Sequence, residues 1–113
     1  EGLATGEGAW LFGLRELDGA YRTNLSVTNA GSETATVAIS LYATDSSLLD
    51  TYTLTVEPAE VVQDLQPFAN RAGQASLGWG FARINVESGD GILSLASVID
   101  STTGDSTMVA MKR

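Results

Sequence analysis

The chain has 113 residues, fourteen Asp/Glu against six Lys/Arg for a net charge of −8, and neither cysteine nor histidine. That length suits one domain able to bury roughly 65% of its unfolded-chain surface, enough for a core without disulfides or metal. The missing residue types exclude Ser-His-Asp and Cys-His nucleophilic sites and ordinary zinc sites, while the acidic balance argues against nucleic acid and anionic membrane surfaces as partners.

Residues 1–8, Glu1-Gly2-Leu3-Ala4-Thr5-Gly6-Glu7-Gly8, are Gly-rich and are expected to be mobile in an isolated monomer. They read as an extension, with 9–113 as a single domain. Trp10-Leu11-Phe12-Gly13-Leu14 is a strand with Trp10, Phe12 and Leu14 on one face and Leu11 on the other. Asp18-Gly19 is a turn. Tyr21, Leu25 and Val27 then alternate with Arg22, Asn24, Ser26 and Thr28, the period of a strand with one buried face. After a turn at Asn29-Ala30-Gly31-Ser32, Val37, Ile39 and Leu41 alternate with Thr36, Ala38 and Ser40. Asp45-Ser46-Ser47 leads to Tyr52, Leu54 and Val56, set against Thr51, Thr53 and Thr55. Thr suits such outer faces because its β-branch fits the pleat while its hydroxyl stays wet.

Glu57-Pro58 is a turn before a short strand, Val61 to Leu65. Gln66 to Gly73 is the one short helical turn, with Pro67 at its start and Gly73 at its end. Ala82, Ile84 and Val86 alternate with Arg83, Asn85 and Glu87, which places Phe81 outward. Gly89-Asp90-Gly91 predicts a hairpin to the apolar run Ile92 to Ile99. Thr102-Thr103-Gly104-Asp105 is a turn before a last strand, Thr107 to Met111. Seven or eight strands at this spacing predict an all-β protein, an antiparallel immunoglobulin-like β-sandwich, with a closed barrel as the alternative. No linker divides the chain, and no internal repeat is present.

The run Tyr21-Arg22-Thr23-Asn24-Leu25-Ser26-Val27-Thr28-Asn29-Ala30-Gly31 resembles the second strand of Ig-like β-sandwich modules in secreted and surface proteins of bacteria. Ser97-Val98-Ile99-Asp100-Ser101-Thr102-Thr103-Gly104-Asp105 is similar to their closing strand and turn. The resemblance spans most of residues 9 to 111. It implies an extracellular or cell-surface setting and brings no catalytic residues.

Gly104-Asp105-Ser106 has the letters of a serine hydrolase motif, but no His is present to activate the hydroxyl, so it reads as a turn. A Ser-Lys pair would have to use Lys112, next to the end of the chain. Asp64, Glu87, Asp90, Asp100 and Asp105 are the carboxylates available for acid-base work or calcium. They are scattered singly through turns and outer faces, and no Asp-x-Asp-x-Asp-Gly loop occurs. No cofactor, metal or catalytic residue is therefore assigned. Asn24-Leu25-Ser26 matches a glycosylation acceptor but falls inside a strand.

Two functional expectations remain. One is a non-catalytic structural or adhesive module that self-assembles into a fibre or layer. Its contacts would be Trp10, Leu11, Phe12 and Leu14, adding to another subunit's sheet edge; the alternative is that this strand belongs to its own sandwich. One Lys in the chain leaves few edge gatekeepers. The other is a carbohydrate-binding module that uses Trp79 and Phe81 as a platform for a glycan. The partner would be a second copy, another surface protein or a glycan. No membrane insertion is expected, since no run approaches about 20 apolar residues. No signal-peptide pattern is found ahead of Glu1, and the chain is still compatible with the mature part of an exported protein.

Overall fold

The alternation of apolar and polar residues becomes eight antiparallel strands in the computed structural model, which describes residues 2–17, 20–73 and 76–113. These are β1 (Gly8–Leu17), β2 (Tyr21–Asn29), β3 (Ala35–Ala43), β4 (Leu48–Val56), β5 (Val61–Leu65), β6 (Ser76–Ser88), β7 (Ile92–Asp100) and β8 (Ser106–Ala110). One helical turn, α1 (Pro67–Asn70), begins at the expected proline. The expected turn at Asp18-Gly19, like Glu1, lies outside the described residues. No helix among the described residues is long and apolar enough to cross a membrane.

The strands run in the order β4-β3-β6-β1-β2-β7-β8, and β5 also pairs with β2. β1 pairs with β6 along its length but meets β2 only at Leu17↔Tyr21. Beyond that corner β5 occupies the β2 edge, from Asn24↔Leu65 to Thr28↔Val61. The sheet thus folds into two halves, β4-β3-β6-β1 and β5-β2-β7-β8. Their inner faces share one core: Leu11, Leu14, Ile39 and Ile84 from the first half, and Leu25, Val27, Ile92 and Ala96 from the second, are fully buried. The all-β antiparallel class expected from the periodicity is the class observed.

Three expectations change. Gly89-Asp90-Gly91 does not close a hairpin, because β6 pairs with β1 and β3 while β7 pairs with β2 and β8. The segment instead carries the chain between the halves, packed against the Asn29–Gly31 turn, where Ala30 N–H donates to the Gly91 carbonyl at 2.9 Å. A Cβ on Gly91 would lie 2.6 Å from the Gly31 nitrogen. These glycines serve loop-on-loop approach rather than a tight turn.

The N-terminal segment is held by its own chain. Leu3 is buried and exchanges backbone hydrogen bonds with Ile92 at 2.8 and 3.1 Å, and Gly6 N–H donates to Val86 O at 2.9 Å. β1 is an interior strand. Besides β6 and Leu17↔Tyr21, it takes Lys112 against Trp10, with Trp10 N–H to Lys112 O at 2.6 Å. Strand addition to another subunit through residues 10–14 is therefore replaced by pairing within the chain.

The third change lies within β1. Gly13 has φ +72°, and the register to β6 shifts between Leu11 and Leu14. This bulge adds one residue, so Leu14 turns inward beside Leu11 instead of sharing a face with Trp10 and Phe12. Leu11 and Leu14 are fully buried core residues, not assembly contacts.

Candidate binding face and cleft

On the outer side of β1, β3 and β6, the positions opposite the core hold rings. Trp10 faces Arg83 across the β1–β6 ladder, and Tyr42 faces Phe81 across β3–β6. Phe81 and Tyr42 stack with centroids 4.9 Å apart and planes 10° apart. Trp10 and Phe12 stack at 5.8 Å, and Phe81 lies 5.8 Å from each of them. The four rings make one continuous cluster within the range of favourable aromatic pairing. The Arg83 guanidinium lies over Trp10, 4.6 Å from its centroid.

The bulge aims the next part of β1 at a second feature. The Arg15 guanidinium lies 3.8 Å from the Tyr21 centroid and 4.4 Å from that of Trp79. Its Nε donates to the Gly78 carbonyl at 2.9 Å. The backbone here is tied to β2 by Thr23, whose hydroxyl donates to Arg15 O at 2.6 Å and accepts from Arg15 N–H at 3.1 Å. Beside this group opens a cleft of about 320 Å³ lined by Gly13, Arg15, Tyr21, Trp79, Val98, Asp100, Asp105 and Thr107. On the other side of Gly13 and Trp79 lies a slot of about 180 Å³, lined also by Phe12, Thr44, Gly80 and Phe81. Trp79 divides the two hollows and is 52% exposed. Thr44 fixes its backbone by donating to the Trp79 carbonyl at 2.7 Å.

The structure therefore brings Trp79 and Phe81 together with Phe12 around the slot and joins Trp10 to them through the ring cluster. Among the candidate carboxylates, Asp100 and Asp105 line one cleft. Asp100 also accepts from Thr102 N–H at 2.9 Å, which shapes the turn. Asp90 lies at the opposite loops beside Glu33. Asp64 is engaged by Arg71 at 2.9 Å and by the Tyr52 hydroxyl, so it is a structural anion. Desolvation, then Asp64, pushes the Tyr52 phenol well above its ordinary range. No group of three or more Asp or Glu suited to a metal ion occurs among the described residues.

One buried carboxylate was not legible as such in the sequence. Glu16, 2% exposed, points inward from β1 and accepts from Phe68 N–H and Ala69 N–H, both at 3.0 Å. It satisfies two donors at the start of α1. Burial raises its pKa above the ordinary 4.5; the two N–H groups oppose this, and the Asp64 charge adds to it. Tyr42 and Arg83 were findable as outward positions of alternating strands, whereas Arg15 follows the unread bulge.

No protein-family model matches the chain, and no curated protein matches it in sequence. Solved structures do resemble it. A crystal structure of Thermotoga maritima 1070 superimposes with a TM-score of 0.71 at 14% identity, covering 96% of this chain and 94% of that one. The Anabaena sensory rhodopsin transducer superimposes with a TM-score of 0.57 at 18% identity, covering 81% of this chain and 98% of that one. At these identities the likeness speaks for the fold, and the chain shares an all-β architecture with both.

Proposed function

We propose that this is a non-catalytic module that associates with copies of itself through the outer face of β4-β3-β6-β1. The observation that carries the reading is the cluster of Trp10, Phe12, Tyr42 and Phe81 on a face nearly free of charge. Among the described residues, outward charge along these four strands is limited to Arg15, Arg83 and Glu87, while the chain as a whole carries −8. Two copies meeting elsewhere would oppose acidic surfaces; here they meet across rings and the Thr51, Thr53 and Thr55 row. Large apolar patches of this kind mark contact surfaces.

Four strands about 4.8 Å apart and roughly 30 Å long outline about 600 Å² per copy. The two copies together would bury about 1,200 Å², at the small end of specific interfaces. Association should therefore be reversible and rise with concentration. The non-catalytic part rests on the absence of His and Cys from the chain. An extracellular or cell-surface setting rests on the resemblance of residues 21–31 and 97–105 to bacterial surface modules.

Sedimentation velocity over a concentration series tests the reading. The expected result is a monomer–dimer or higher equilibrium that Phe12→Glu shifts to monomer without loss of the β-sheet circular dichroism. A wild-type chain that stays monomeric at millimolar concentration overturns it.

A further inference from the structure

The geometry points to a second activity at the bulged end of this sheet: binding of a neutral oligosaccharide across the two hollows that Trp79 divides. The slot and the cleft share Gly13 and Trp79, so they adjoin at the β1 bulge as a track of two subsites parted by the Trp79 ring. Their chemistry differs in the way a sugar chain demands. The slot presents Phe12, Trp79 and Phe81, apolar surface against which the C–H face of a pyranose stacks. The cleft is lined by Asp100, Asp105, Thr107 and Arg15, residue types that accept from and donate to sugar hydroxyls, although one Asp100 oxygen is already engaged by the Thr102 N–H. Volumes of about 180 and 320 Å³ suit one ring in the slot and its neighbour in the cleft. The ligand is thus at least a disaccharide segment.

Charge excludes the anionic class: an anionic saccharide would meet the Asp100 and Asp105 carboxylates against the single Arg15 guanidinium. That cation is fixed between Tyr21 and Trp79 with its Nε already bonded, so it is preorganised rather than drawn in by the ligand. Gly13 keeps the track open: a Cβ there would meet nothing within 4 Å, so any side chain would project into it.

The test is calorimetric titration of the intact chain with cellohexaose, maltohexaose, chitohexaose and, as the anionic control, hexagalacturonate. Protein is kept at a concentration where sedimentation shows monomer, so the result is independent of self-association. Saturable binding of a neutral hexaose, weakened about tenfold by Trp79→Ala and several-fold by Asp105→Asn, is the expected result. Gly13→Asn provides a check should Trp79→Ala fail to fold. Asn tolerates the left-handed backbone, and its side chain should block the track. Absence of saturable binding with all three neutral sugars overturns the proposal. So does binding unchanged in Trp79→Ala and Gly13→Asn, or equal affinity for hexagalacturonate.

Discussion

The two faces of the β4-β3-β6-β1 half are built from different residues. Inward it shows mainly aliphatics: Leu11, Leu14, Ile39, Leu41, Ala82 and Ile84 are all fully buried, with the partly buried Tyr52 of β4 packed against them. Outward it shows Trp10, Phe12, Tyr42, Trp79 and Phe81, none of them fully buried. Of the chain's two Trp, three Tyr and three Phe, only Phe68 is a fully buried core residue. Aromatic side chains carry the largest area available for burial, and here that area is placed mainly where folding makes least use of it. The difference separates the positions that hold the fold from those available for contact.

The largest expected effect tests the inner face. Leu11→Ala or Ile84→Ala should cost about 2–5 kcal/mol in urea unfolding, through lost transfer energy and the cavity left behind. A cost near that of an exposed residue would mean the halves do not share one packed core.

Next is Glu16, the polar exception on the inner face. Glu16→Ala leaves the Phe68 and Ala69 N–H groups without their acceptor, at about 2–4 kcal/mol. The pH dependence has a definite sign. Because its folded pKa is raised, the folded state holds the proton more tightly than the unfolded chain does. The stability linked to this proton is fully present below about 4.5, falls as pH rises through the higher folded value, and then levels off. Urea midpoints measured across that window should show a decline in the wild type that is absent in Glu16→Ala.

Much of the inner face was legible because period two is local: Leu25/Val27, Ile39/Leu41 and Ile84/Val86 each announce their side of the sheet within a few residues. What was not legible depends on distant partners. Glu16 looks like any strand-borne acid until a turn 52 residues away presents two N–H groups to it. The glycines at 89–91 spell a hairpin, and only the Asn29–Gly31 loop packed against them shows that the chain crosses over. On the outer face, Phe81 was placed correctly by alternation. Leu14 was not, since Gly13 shifts the count by one. Asp100 and Asp105 form one wall of a cleft only because the 100–106 turn folds back beside the β1 bulge.

Gly13 stands where the two faces exchange sides, and its substitution gives the third effect. Gly13→Ala forces an L-residue into φ +72°, costing about 1 kcal/mol. Gly13→Asn should cost less, because Asn tolerates that region. Equal thermal midpoints for Ala and Gly would mean that the bulge is not held in this conformation.

The smallest stability effect is expected at Phe12, where the comparison is sharpest. Phe12 and Leu11 are neighbours on one strand, yet Phe12 is 47% exposed and Leu11 is fully buried. Phe12→Ala removes a stacked ring from Trp10 at 5.8 Å and from Phe81 at the same distance, but it opens no enclosed cavity. Its cost should be about 0.5–1 kcal/mol, several-fold below that of Leu11→Ala despite the larger side chain removed. The same substitution should weaken self-association, an effect that Leu11→Ala lacks under conditions where it stays folded. Urea unfolding and sedimentation velocity on the two variants separate the roles. If Phe12→Ala lost as much stability as Leu11→Ala and left association intact, the outer rings would be part of the core and not a contact surface.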